Sequence, residues 1–396
     1  MTLSYTVDAT CGAARTGTVT TARGSFATPC FMPVGTRGAV RTLSSADLED
    51  LGAEVVLGNT YHLMLRPGAD VVAHLGGLHA FADWHGHVLT DSGGYQVFSL
   101  KPRVDDEGAT FSSTYDGTSH HLSPEGAVDV QVALGSDIQM VLDVCPPLPS
   151  PPAVIRSAVD RTALWAGRAR RAFLAYERPD LSQFGIVQGG TDAALRVESA
   201  ERTVAVGFDG YAVGGLSVGE DRSATLPALE AAVGALPAGA PRYFMGLGDP
   251  LGIVDAVARG IDMFDCVLPT RLARHGTLLT SEGRLNLRNR RFADDPGPID
   301  PACACPVCAR WSRGYLRHLL TVAEPTAPRL LTLHNVAWTF ALVGRIRTAI
   351  GQGTLGALRD EIAERWDPAN RPGTPDGDAG DGATLDVDDE TGATGR

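Results

Sequence analysis

Eight short runs of apolar residues between positions 30 and 265 govern what this chain can fold into. They are CFMPV (30–34), EVVLGN (54–59), HVLTD (87–91), IQMVLD (138–143), FGIVQ (184–188), YAVGG (211–215), RYFMG (242–246) and IDMFD (261–265). Most are rich in Val, Ile, Leu or Phe, the composition of strands buried on both faces. Helical stretches lie between them: SSADLEDLG, PEGAVDVQVALG, SAVDRTALWAGRARRAFLAY, AALRVESAERTVAVG and PLGIVDAVARG. Several of these end at glycine, as helix C-termini often do. Eight strands alternating with helices predict an α/β chain, a (β/α)8 TIM barrel. The competing arrangement is a doubly wound sheet, but its glycine-rich loop after the first strand is missing.

The runs close on polar or glycine residues: Asn59, Asp91, Asp143, Gln188, Gly214-Gly215, Gly246 and Asp265. In such barrels the C-terminal strand ends build the active site, so the pattern assembles a candidate site before any motif is considered. Three segments stand outside the repeat. Residues 3–28 read as short strands capping one end, and 108–123 as a hairpin turning at Asp116-Gly117. Residues 293–335 carry a cysteine cluster, and CPPLPSPP (145–152) reads as a stiff loop. The expected organisation is a catalytic barrel over 1–368, with 293–335 as an inserted zinc-binding subdomain. The Gly/Asp/Thr-rich acidic tail, 369–396, is expected to be disordered.

Charge is unevenly placed. The formal net charge is −12, which argues against a generally basic nucleic-acid binder. Residues 373–396 hold seven acids against one arginine, whereas residues 266–292 hold Arg271, Arg274, Arg284, Arg288, Arg290 and Arg291 against Glu282 alone. That basic stretch is either a solvated loop or a surface that attracts phosphates. No apolar run reaches the roughly 20 residues of a membrane-spanning helix, and the first residues lack a basic stretch followed by an apolar core. A cytoplasmic protein without membrane contact is the expectation.

Of the seven cysteines, Cys303, Cys305 and Cys308 fall within six residues, and His334 follows 26 residues after the last of them. Three thiolates and an imidazole make a closed tetrahedral set, the donor chemistry of one structural zinc ion per chain. Just beyond, Trp311, Tyr315, His318 and Leu319 have helical spacing and share one face, either packed on the zinc lobe or forming a dimer contact. The stretch TDSGGYQVFS (90–99) sets a carboxylate and two glycines before a tyrosine. Asp91 there either opens an Asx-turn with Gly93 and Gly94 supplying positive φ, or serves chemistry beside an aromatic platform.

Taken in order, NTYHL, DSGGYQ, GSDI…LDVC, GIVQGG, VGGLSVGE, YFMGLG, DMFDCVLPTRLARHG and CxCxxC…H resemble the bacterial tRNA-guanine transglycosylases, from about residue 3 to residue 368. The resemblance implies a (β/α)8 barrel with a zinc subdomain. It also implies exchange of the wobble guanine of GUN-anticodon tRNAs (those for aspartate, asparagine, histidine and tyrosine) for preQ1, 7-aminomethyl-7-deazaguanine. By that resemblance Asp265 is the nucleophile on ribose C1′, and Asp91 is the general acid/base for guanine and the incoming base. Base-binding positions would be Asp91, Ser92, Gly93, Gly94, Tyr95, Asp143, Gln188, Gly215, Leu216 and Met245. Of these, Asp143 would accept from the purine N1–H and amine, and Gln188 and the Gly215 N–H would donate to O6. The Leu216 carbonyl would take the aminomethyl group, and Tyr95 and Met245 would sandwich the ring.

The resemblance further assigns RNA contacts to Gly246, Leu247, Gly248, Asp249, Pro250, Leu251 and Gly252, and to Thr270, Arg271, Leu272, Ala273 and Arg274. It implies a homodimer through Trp311, Tyr315 and His318, with Phe81 beside them. Cys145 and Val218 suit the preQ1-using type rather than the queuine-using one. Val144 departs from the family's usual acid. The physical chemistry is consistent with this division, since base exchange with retention at C1′ needs two displacements and hence a carboxylate nucleophile. The alternative is a non-catalytic tRNA-binding partner subunit; keeping both Asp91 and Asp265 favours the enzyme. A zinc-dependent hydrolase would want histidines at strand ends, where only His62 and His87 come near.

Overall fold

The computed structural model describes residues 3–217 and 220–367. The 369–396 tail and Val218 lie outside the described residues. Eight barrel strands follow the eight apolar runs. β1 covers Cys30–Met32 and, after Pro33, Val34–Gly35; β2 is Val55–Gly58, β3 His87–Thr90 and β4 Ile138–Met140. β5 is Ser182–Val187, β6 Gly210–Val213, β7 Arg242–Phe244 and β8 Met263–Asp265. Each is parallel to its sequence neighbour, and β8 pairs with the first half of β1. Pro33 has no N–H and so interrupts β1. Its carbonyl still accepts from the Leu57 N–H at 3.0 Å, which carries the ladder across to β2 and closes the barrel.

The register decides which side chains meet at the top. Gly58 pairs with Thr90, so Asn59 and Asp91 leave the sheet side by side. Val187 pairs with Val213, which puts Gln188 beside Gly214. Asp265 is itself the last residue of β8, against Met32.

The opposite end is closed. The N-terminal strands Ser4–Cys11, Ala14–Thr21 and Gly24–Thr28 form an antiparallel sheet, as the sequence predicts for a cap. Arg15 bonds Asp262 at 2.6 Å and Arg23 bonds Asp137 at 2.8 Å, and these two acids precede β8 and β4. The cap therefore covers the N-terminal strand ends and leaves only the C-terminal mouth open.

Two insertions flank that mouth. After β3, Arg103–Val104, Ala109–Ser112 and Ser119–Leu122 make a small antiparallel sheet, its turn at Gly117 with φ 76°. After β8 come the helix Leu268–Arg274, the hairpin Thr277–Thr280/Gly283–Asn286, the cysteine loop and the helix Arg313–Thr321. The long helix Thr326–Gly351 then returns to the barrel wall, where the Arg347 guanidinium donates to the Pro29 carbonyl at 2.7 Å. It runs straight through the expected subdomain limit at 335, so His334 comes to the cysteines from a barrel helix.

The aromatic row is arranged differently from its expectation. Ser312 caps the helix at Arg313, leaving Trp311 just before it. Leu319 is buried in the lobe core with Leu316 and Leu320, whereas Tyr315 is 44% exposed and His318 points outward. The helix satisfies its apolar stripe with the three leucines, so the aromatic residues are left on another face. Among the described residues no helix is long and apolar enough to cross a membrane.

Candidate active site

The strand ends enclose a cavity of about 420 Å³. Asp91, Ser92, Gly94, Tyr95, Asp143, Gln188, Gly215, Leu216, Met245 and Asp265 all line it. Gly93 does not; with φ 77° it turns the chain beneath, where an added Cβ would sit 3.0 Å from the Tyr61 nitrogen. Gly94 needs its bareness for another reason, since a Cβ there would lie 3.2 Å from Asp143 Oδ1.

Asp91 is fixed by its surroundings. Asn59 Nδ2 donates to Oδ2 at 2.6 Å, and the Thr60 and Gly93 N–H groups donate to Oδ1 at 2.8 and 3.1 Å. The Asx-turn is therefore present, and it orients a carboxylate that lines the cavity. Asp265 receives the Tyr243 hydroxyl at 2.5 Å and the Gly246 N–H at 2.8 Å, both on Oδ1. Both of these donors leave Oδ2 to the cavity side of the carboxylate. Burial raises the Asp265 carboxyl above its ordinary range, and the two donors work against that by favouring the anion. Burial, with the charges of Asp265 and Asp91 added to it, in turn holds the Tyr243 hydroxyl in its protonated, donating form.

Asp143 lies on the floor. Burial pushes its carboxyl up to about 6, opposed by the Gln188 amide that donates to Oδ2 at 2.5 Å. A buried carboxylate beside an amide presents acceptors and a donor along one edge, which suits an amidine-like heterocycle edge. Tyr95, 40% exposed, and half-buried Met245 stand at the cavity wall.

The basic side of the mouth carries Arg271 and Arg274 from the helix Leu268–Arg274. Of the other positions expected to touch RNA, Gly246 is exposed at the cavity and Leu272 is half-buried. Leu247, Gly248, Pro250, Leu251, Gly252, Thr270 and Ala273 are buried. Asp249 is occupied as the N-cap of the helix Pro250–Val257, its Oδ1 accepting from Gly252 at 2.7 Å. Val144 packs against the apolar cluster of Tyr61, Val97, Phe111 and Trp165, so the position has been absorbed into the core.

Cys303, Cys305, Cys308 and His334 come together, with ligand atoms all within 4.8 Å of one another. The three sulfurs lie 3.9, 3.5 and 3.3 Å from His334 Nδ1. Those separations are close to the edges of a tetrahedron with metal–ligand bonds of roughly 2.0–2.3 Å. Nε2 donates to the Leu279 carbonyl at 2.8 Å, which leaves the Nδ1 lone pair aimed at the thiols. Hydrogen bonds from Cys303 and Cys308 lower the Cys305 thiol below its ordinary value, and the same bonds raise Cys308, so the cluster readily gives up a first proton and holds the next.

Asn59 is one of the polar strand ends visible in the sequence, but its bond to Asp91 follows only from the β2–β3 register. Two other residues, Tyr243 and Arg196, have no such mark. Tyr243 precedes Met245 by two residues, and the period of a strand could have placed it on the same face. Arg196 gave no signal, being one arginine in a helix rich in charges.

Comparison with known proteins bears on the whole arrangement. The family model described as queuine tRNA-ribosyltransferase matches residues 9–368. A queuine tRNA-ribosyltransferase of Solidesulfovibrio magneticus is 51% identical over 353 residues, covering 89% of this chain and 94% of that protein. One of Oceanobacillus iheyensis is 49% identical over 356 residues, covering 89% and 93%. One of Sphingopyxis alaskensis is 47% identical over 367 residues, covering 92% and 98%. With that reach over a barrel whose open end carries two carboxylates, the chain belongs to the queuine tRNA-ribosyltransferase family.

Proposed function

We propose that this chain exchanges the wobble guanine of GUN-anticodon tRNAs for preQ1 through a covalent ribosyl-aspartate. As a member of its family it is a glycosyltransferase enzyme. The observation that carries the mechanism is a pair of carboxylates, Asp91 and Asp265, at separate strand ends of one cavity floored by Asp143 and Gln188.

Asp265 Oδ2 attacks C1′ while the C1′–N9 bond breaks and its electron pair passes to guanine, which takes a proton from Asp91. The incoming base then gives its N9 proton to Asp91 and attacks C1′, releasing the Asp265 carboxylate. Two inversions give retention, and no nucleotide cofactor is consumed because one glycosidic bond replaces another. Asp143 accepts from the base N1–H and amine, Gln188 and the Gly215 N–H donate to O6, and the Leu216 carbonyl takes the aminomethyl group. Tyr95 and Met245 hold the ring between an aromatic face and a thioether. The target guanine leaves its stack to enter, with Gly246, Arg271 and Arg274 meeting the neighbouring nucleotides. The relatives carry queuine in their names; release of labelled guanine from a GUN-anticodon tRNA, with preQ1 and queuine offered in turn, tests the reading. Absence of guanine release with every base would refute it.

The Cys303–Cys305–Cys308–His334 set would hold one zinc ion, which supplies cross-linking of the lobe and no step of the exchange. We assign residues 1–368 to the catalytic unit, with the cysteine lobe inserted after β8. Exposed Tyr315 and His318, half-buried Trp311 and 36%-exposed Phe81 support a homodimer contact. Trp311→Ala with Tyr315→Ala is expected to shift the sedimenting mass toward monomer and weaken tRNA binding more than base binding.

Two further outcomes follow from the site's electrostatics. The base needs ionised Asp143, so its affinity should be flat above a pH of about 6 and fall below it. The fall should approach tenfold per pH unit. Calorimetric titration of guanine between pH 4.5 and 8 measures this, and Asp143→Asn should remove the dependence. Tyr243→Phe should lower kcat by about tenfold to a hundredfold, since it deletes one donor to a buried charge. That donor also favours ionised Asp265, so the acid limb of the kcat profile should move to higher pH.

A further inference from the structure

The Arg196 guanidinium is fully buried, and its four hydrogen bonds run to main-chain carbonyls. Nε donates to the Gly190 carbonyl at 2.8 Å, and Nη1 to those of Val187 and Gly214 at 2.9 and 2.7 Å. Nη2 donates to the Gly215 carbonyl at 3.1 Å. Burying a cation is costly, and burial has drawn this one down to about 10. At neutral pH it remains charged, and its bonds to neutral oxygens are the stronger for it.

The positions of those carbonyls matter. Val187 and Gly190 bracket Gln188, while Gly214 and Gly215 precede Leu216; these are the loops ending β5 and β6 that line the cavity. In a trans peptide the C=O and the following N–H point in opposite directions, and neither the 214–215 nor the 215–216 peptide is cis. With both carbonyls drawn to one guanidinium, the Gly215 and Leu216 N–H groups face away from it on one common side. A strand would alternate them. Gly215, at φ 65°, breaks that alternation, and an added Cβ there would meet Gln188 Oε1. Successive N–H groups on one side form a concavity that binds an electron-rich oxygen.

We propose that Arg196 is a positioning residue that turns the Gly215 and Leu216 N–H groups into the cavity as paired donors for a carbonyl oxygen of the bound base. This rests on the reading of the cavity as a purine site. The Arg196 charge also sits behind the two peptides, so it polarises them toward that oxygen.

The test compares guanine with 6-thioguanine, which keeps the N1–H and amine and replaces O6 by sulfur, a weaker acceptor. Dissociation constants for both are measured on the full chain for wild type, Arg196→Lys and Arg196→Gln. Thr203→Ala serves as a control that removes a buried hydroxyl on the same helix, outside the cavity. Wild type should prefer guanine by roughly tenfold, the value of a well-made hydrogen bond. Both Arg196 variants should lose most of that preference, with Lys retaining more than Gln, while Thr203→Ala lowers the melting temperature and keeps the preference. An unchanged guanine to 6-thioguanine ratio in folded Arg196→Lys and Arg196→Gln, even with both affinities reduced, would overturn the proposal and leave the purine site standing. A wild-type chain that binds neither base would overturn the purine reading and this inference with it.

Discussion

Asp265→Asn should keep the fold and the grip on tRNA while losing base exchange by at least ~10³-fold, the scale seen when a nucleophile is removed from a cooperating set. The amide is isosteric, and its Oδ1 can still accept from Tyr243 and Gly246, so the β7 and β8 strand ends stay in place. What it lacks is the anionic oxygen that the proposed displacement at C1′ requires. Burial raises the Asp265 carboxyl, so the ionised form costs folding energy that a neutral amide does not. The sign follows from linkage: the raised group favours the fold below its unfolded value and loses that contribution as pH rises through the folded value. At pH 7 the Asn chain should therefore melt at the same temperature or higher. Labelled-guanine release measures the chemistry, and denaturing electrophoresis of a tRNA mixture measures the adduct. Wild type trapped with a base ligand should give a covalent protein–RNA band and Asp265→Asn none. Exchange near the wild-type rate in the variant would move the nucleophile elsewhere, and retention of the band would do so even more directly.

What the sequence made legible follows from periodicity. The apolar runs marked eight strands because strands buried on both faces cannot hide polar residues, and their polar ends marked the mouth. Asp91, Asp143, Gln188 and Asp265 could all be located this way. Contacts set by register could not. Asn59 reaches Asp91 only because Gly58 pairs with Thr90, a fact held in the closure of the whole barrel. Arg196 acts through four carbonyls, and carbonyls have no sequence signature. The loop after β7 shows the converse limit. The resemblance assigns residues 246 to 252 to one RNA-facing surface, yet the loop's apolar members turn inward to cover the barrel top, and Gly246, Arg271 and Arg274 are left at the mouth. Spacing places Leu319 on the face of Trp311, Tyr315 and His318, whereas in the helix it joins Leu316 and Leu320 in a buried leucine stripe.

The second large effect concerns the metal. Wild type should carry close to one zinc per chain, and Cys305→Ala or His334→Ala less than a fifth of that. A structural zinc site is worth on the order of 10 kcal/mol to the segment it cross-links. The lobe also owns an apolar core, including Leu278, Phe292, Ile299, Val307 and Leu316, so it should loosen rather than dissolve. Limited proteolysis should then cut between residues 293 and 325, with the barrel intact. The consequence for tRNA runs through the neighbour of His334. Asn335 Oδ1 accepts from the Leu279 N–H at 3.0 Å, and its Nδ2 donates to the Pro269 and Thr277 carbonyls at 2.9 and 3.1 Å. Pro269 opens the helix that carries Arg271 and Arg274. A lobe that shifts on its helix therefore shifts the two arginines at the mouth, while Asp91, Asp143 and Gln188 stay anchored to barrel strand ends. The tRNA affinity should fall by tenfold or more, and guanine affinity should change little. Metal content below half a zinc per wild-type chain would sink this account. So would a chelator that stops exchange at once with the lobe still protease-resistant, because that result belongs to a metal taking part in the chemistry.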